Sequence, residues 1–122
     1  MSWMSNTRSA CNGNTNGYIY ALVRMNKRQM PDGSADLLTR SEDPKFYLNN
    51  EFVKYIGCTN NPISRLQSHR HKKGKKIGMV IFGEAETPAE GKMMEAEAIY
   101  NYCKIKGEGP AYQKGHDTWA GA

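Results

Sequence analysis

Apolar positions along the chain fall into two patterns, contiguous short runs and helical stripes, separated by turn residues. The run Tyr18-Ile-Tyr-Ala-Leu-Val23 is rich in aromatic and β-branched residues, which predicts a strand. The polar stretch Met25–Gln29 ends it, and Pro31-Asp-Gly33 is turn chemistry. A second strand is predicted over Glu51–Cys58, where Phe52-Val-Lys-Tyr-Ile56 stops at Gly57. Asn61 and Pro62 then open a helix. Asparagine caps the first turn, and proline fits there because its missing N–H would have had no partner. That helix runs to about His71 or Lys72 and is broken by Gly74. Ile77-Gly-Met-Val-Ile-Phe82 reads as a third strand. Thr87-Pro-Ala-Glu90 is a capping box, and the helix it opens runs to about Lys104, ahead of Gly107, Gly109 and Pro110.

The order β–β–α–β–α predicts a small α+β domain with a three-stranded antiparallel sheet flanked by helices. The domain spans residues 17–113. Residues 26–49 form a long insertion between the first two strands, with a short helix or hairpin near Leu37 and Leu38. Residues 1–16 and 114–122 read as tails. At 122 residues the chain is one domain with one core. No apolar run approaches the ~20 residues that cross a bilayer, and Met1–Gly17 has no apolar signal core. The expectation is a cytoplasmic protein with no membrane partner. Cys11, Cys58 and Cys103 are odd in number and far apart, which disfavours a disulfide framework. Cys58, Cys103, His69 and His71 lack the spacing of a zinc module.

Charge sharpens this. The net charge is +5, and the stretch 52–83 contains no acidic residue while carrying Lys54, Arg65, Arg70, Lys72, Lys73, Lys75 and Lys76. A basic block of this kind suits a phosphate backbone, because neutralised phosphates release condensed counterions. Lys54, Arg70, Lys72, Lys73, Lys75 and Lys76 are therefore the candidate DNA-binding residues; the plainer reading is a solvated, lysine-rich loop. Glu84, Glu86, Glu90, Glu95 and Glu97 follow, mostly on the second helix.

Aromatic and charged groups recur at fixed spacings. Tyr18-Ile-Tyr20 lies on the first strand and Tyr55-Ile-Gly57 on the second. Arg65 and His69, four apart, share one face of the first helix. Together these residues resemble the GIY-YIG nuclease family. Its second motif is matched letter for letter by Tyr55-Ile-Gly57. Its first is altered, with Tyr18 where glycine usually stands and Gly17 just before it. The intervals from Tyr55 to Arg65 and from Arg65 to His69 also match, as does a glutamate on the following helix. The resemblance covers Gly17 to about Gln113.

It implies a metal-dependent endonuclease that hydrolyses DNA phosphodiesters with one divalent metal, Mg²⁺ or Mn²⁺. Tyr20 or Tyr55 would activate water, helped by a cationic surrounding that lowers the pKa of the phenol. Arg65 would bond phosphate oxygens, and His69 would orient the tyrosine or assist proton transfer. Tyr18 and Gly57 support these groups. For the metal ligand, Met94, Ala98, Ile99, Tyr102 and Ile105 form the apolar stripe of the second helix. Glu95 falls within that stripe and Glu97 nearly opposite. A carboxylate facing the sheet is costly unless paired or bound, so Glu95 is the expected ligand and Glu97 the reserve.

Two features depart from the family pattern. An asparagine usually follows the second helix, where this chain has Tyr112-Gln113, so Gln113 is expected to take that supporting role. The insertion holds Tyr20 and Tyr55 much further apart than usual, which closure entropy tolerates. It would serve as a DNA-contacting flap or be inert. A homodimer would let so short a chain cut both strands, though no interface is visible. The rival readings are a catalytically decayed nucleic-acid-binding module on the same fold, and a basic RNA-binding protein of other ancestry.

Overall fold

Strand β1 (Gly17–Arg24) is the contiguous apolar run, and it is buried from Gly17 to Val23 because it lies inside the sheet. The computed structural model describes residues 17–25, 37–48 and 51–113. Both tails, and residues 26–36 and 49–50 of the insertion, lie outside these. The other strands are β2 (Leu38–Arg40), β3 (Val53–Thr59) and β4 (Ile77–Ala85). Helices α1 (Pro62–Lys73) and α2 (Pro88–Lys106) follow β3 and β4.

The sheet has four strands in the order β2-β4-β1-β3, not the three expected, and it is mixed rather than antiparallel. β1 pairs antiparallel with β3 and β4, while β2 runs parallel to β4 with Leu38 opposite Met79. The added strand comes from the insertion. Leu37 C=O accepts from Met79 N–H at 2.8 Å and Ser41 N–H donates to Ile81 C=O at 2.8 Å, extending the ladder at both ends of a three-residue strand. The insertion also supplies a 3₁₀ turn, Phe46–Leu48, whose Tyr47 is buried against Phe82 with ring centroids 5.1 Å apart. In its described part the insertion therefore builds core.

Each face of the sheet has its own apolar layer. Ile19, Ala21, Val23, Ile56, Val80 and Phe82 pack with Ala98 and Ile99 of α2 and with Tyr47. Tyr18, Tyr20, Leu22, Ile77, Met79 and Ile81 pack with Leu66 of α1 and with Leu38. Both helices begin where the caps require: Asn61 accepts from Ser64 N–H at 3.2 Å and Thr87 from Glu90 N–H at 3.1 Å. α2 ends at Gly107, whose φ of 84° supplies the left-handed cap. Its last turn is exposed, and Ile105, expected in the buried stripe, is 62% exposed between Lys104 and Lys106. Among the described residues no helix is long and apolar enough to cross a membrane.

Candidate active site

Pairing between β1 and β3 sets Tyr20 opposite Gly57. A Cβ at Gly57 would lie 2.5 Å from Tyr20 Oη, 2.6 Å from its Cζ and 2.9 Å from Tyr55 Cε1. The missing side chain at 57 is therefore the space in which the two rings meet, their centroids 6.1 Å apart and their planes within 26°. Tyr20 is 1% exposed, so it has nowhere to retreat; Tyr55 is half-buried. From α1, His69 closes over both rings, with its centroid 4.9 Å from that of Tyr55 and 5.9 Å from that of Tyr20. Its Nε2 is 2.9 Å from Tyr20 Oη.

Arg65, one turn earlier on α1, is exposed, and its charge acts on Tyr20, Tyr55 and His69. Glu95 comes from α2 on the other side of the sheet. Gly91 explains how it arrives: a Cβ there would sit 2.8 Å from Cys58 Sγ, so glycine lets the helix lie directly on β3. Glu95, four residues on, follows on the same helical face. It is half-buried, and its charge acts on Tyr55, Tyr20 and Cys58. Tyr20, Tyr55, Arg65, His69 and Glu95 thus form one electrostatic cluster. Glu97 is exposed and lines a separate groove of about 220 Å³ with Lys45, Tyr47 and Asn101. Tyr18 is buried on the same sheet face as Tyr20.

The protonation states differ from expectation. Burial is the largest influence on Tyr20 and raises its phenol well above the ordinary range, with the neighbouring Tyr55 adding to it. Tyr55 is also raised, first by burial and then by Glu95, while Arg65 and a hydrogen bond from Tyr20 oppose the rise. The surrounding cations do not make either phenol more acidic than free tyrosine, because desolvation outweighs them. Burial also pushes His69 down to about 4, with Lys73, Arg65 and Lys72 adding to the effect, so the imidazole is neutral at neutral pH.

The basic candidates separate into distinct roles. Arg70 is half-buried, and its guanidinium donates to the carbonyls of Lys75 and Ile77, both at 2.8 Å. It ties the end of α1 to the start of β4. Nη1 of Arg70 is thus engaged by the backbone. Lys73 is half-buried and lies 3.2 Å from His69 Nδ1. Lys54 is half-buried, whereas Lys72, Lys75 and Lys76 are exposed. The pairing of His69 with Lys73 had a signal in the sequence, the same four-residue helical spacing that relates Arg65 to His69.

Gln113 also serves the backbone. It is 3% exposed, its Oε1 accepts from Ile56 N–H at 2.8 Å, and its Nε2 donates to Ile56 C=O at 2.8 Å. With Tyr112 N–H donating to Lys54 C=O at 2.8 Å, this segment covers the open edge of β3. Gln113 thus supports the Tyr55 strand through the Ile56 backbone. Gln113→Ala strips two partners from buried backbone groups and should lower stability by about 1–3 kcal/mol in urea unfolding. A loss below about 0.5 kcal/mol would mean that water replaces the amide.

Among the described residues no group of three or more His, Cys, Asp or Glu side chains could hold a metal ion. The donor set is instead one carboxylate beside exposed cations. That fits Mg²⁺, which keeps most of its waters and binds through one or two carboxylates and the phosphates of its substrate. Cys58 and Cys103 are free thiols, both half-buried. Comparison of the chain with protein-family models, curated proteins and solved structures finds no match.

Proposed function

We propose that this chain is a metal-dependent endonuclease of the GIY-YIG type that hydrolyses phosphodiester bonds in DNA. The single observation that carries the reading is the convergence of two tyrosine hydroxyls and an imidazole with the charges of Arg65 and Glu95. These groups come from β1, β3, α1 and α2, so packing alone does not require their chemistry to coincide. Tyr55, the more open phenol, releases its proton to solvent and as the phenolate takes one from the attacking water. Arg65, exposed at the rim, bonds the phosphate oxygens as negative charge develops on them. A divalent metal held by Glu95 would offset that carboxylate's upward pull on Tyr55 and stabilise the leaving oxygen. Lys72, Lys75 and Lys76 supply the exposed contact to flanking phosphates.

A second reading, a module on this fold that binds nucleic acid without cutting it, is favoured by the raised phenols and by the use of Gln113 on the backbone. One experiment separates the two. Purified protein with supercoiled plasmid and Mg²⁺ or Mn²⁺ is expected to produce nicked or linear DNA, and chelation of the metal should stop it. Arg65→Ala and Glu95→Ala should each slow cleavage by about a hundredfold. A gel shift that persists at about 0.1 M salt with no cutting by the wild type would favour the binding module.

A further inference from the structure

The sequence reads Lys73 as part of a DNA-facing basic stretch, yet its ammonium lies 3.2 Å from His69 Nδ1 and 5.5 Å from the Tyr55 ring centroid. An ammonium has three donors and no acceptor, so Nδ1 is the acceptor of that bond. A neutral imidazole carries a single hydrogen, which then sits on Nε2 and is donated to Tyr20 Oη, 2.9 Å away. That leaves the Tyr20 hydroxyl hydrogen for Tyr55, the neighbouring phenol, whose ring centroid is 6.1 Å away and whose raised pKa Tyr20 opposes. The order of donation is Lys73 to His69 to Tyr20 to Tyr55. With the hydrogen on Nδ1 instead, Nε2 would accept from Tyr20 and Tyr55 would lose its donor.

We propose that Lys73 is a positioning residue that fixes His69 as the Nε2–H tautomer and so aims the Tyr20 hydroxyl at Tyr55. Tyr55 is then the oxygen stabilised as a phenolate, its own proton released to solvent, before it takes one from the attacking water. The consequence for cleavage rests on the endonuclease reading; the tautomer does not. Lys73 is half-buried where Lys72, Lys75 and Lys76 are exposed, which suits an internal partner better than a phosphate contact.

The test is the two-bond ¹H–¹⁵N correlation pattern of His69 in ¹⁵N-labelled protein at about pH 7.5. The wild type should show hydrogen on Nε2 and a bare Nδ1. Lys73→Met should move the ring toward the Nδ1–H form, and Lys73→Arg, which keeps a donor, should restore the wild-type pattern. A wild-type Nδ1–H pattern, or a Lys73→Met spectrum identical to the wild type, overturns the proposal. A wild-type Nδ1–H pattern overturns it even where a variant fails to fold. In plasmid cleavage, Lys73→Met should lower kcat by about 10–100-fold with KM little changed, and Lys73→Arg should recover most of the rate. A rise in KM alone, with a flatter salt dependence, would make Lys73 a phosphate contact and sink the positioning role. If no form cuts DNA, the endonuclease reading fails while the spectra still decide the tautomer.

Discussion

Tyr55→Phe is expected to reduce the rate of plasmid cleavage by about 10³-fold, whereas Tyr20→Phe should cost about tenfold. The two phenols sit in one cluster, but their surroundings differ. Tyr20 is sealed at 1% exposure and pushed furthest up by burial, so no water reaches its oxygen and little of it ionises. Tyr55 is half-buried, with its rise opposed by the Tyr20 hydrogen bond and by Arg65. Deleting the Tyr55 hydroxyl therefore removes the proton acceptor. Deleting that of Tyr20 removes one hydrogen bond to it. Single-turnover rates on one plasmid, at saturating protein, measure both. A larger loss in Tyr20→Phe would reverse the assignment and require a path for water to β1.

The residues of this cluster could be read from the chain because regular geometry repeats them. Arg65 and His69 are one helical turn apart, so any helix over that stretch sets them side by side. Glu95 and Glu97 were separable for the same reason: two positions on a helix are about 200° apart, and the half-buried one is the one in the stripe. What stayed hidden depends on long-range contacts. β2 is three residues long and is held by bonds to Met79 and Ile81, so no periodicity announces it. In sequence Arg70 reads as part of the basic block and Gln113 only as a polar residue beyond the second helix. Their roles appear only when the chain brings carbonyls at 75 and 77, or the edge of β3, within reach. Gly57 was legible as an unusual glycine, though the reason for it, an aromatic ring from another strand, was not.

Acid should destabilise the fold through His69, and the sign follows from its surroundings. Tyr20 from β1, Tyr55 from β3, and Lys73, Arg65 and Lys72 from α1 all face or act on the ring, and none of them is an anion at neutral pH. The folded group is therefore harder to protonate than the free one, lying at about 4 against an ordinary 6.5. Between those values the unfolded chain binds a proton that the folded chain refuses, so stability falls as pH drops through the window. Each unit is worth about 1.4 kcal/mol, which makes the loss from this residue about 2–3 kcal/mol by pH 4. Urea unfolding at about pH 7.5 and 4.5 would measure it against His69→Gln, which cannot take the proton and should lose less stability by that amount. Equal losses in the two proteins would mean that His69 titrates normally when folded. The same proton would convert Nδ1 from acceptor to donor against the Lys73 ammonium and break the bond between them. Opening of the α1 face and loss of the aligned hydroxyls should therefore occur over one pH range, because a single imidazole is responsible for both.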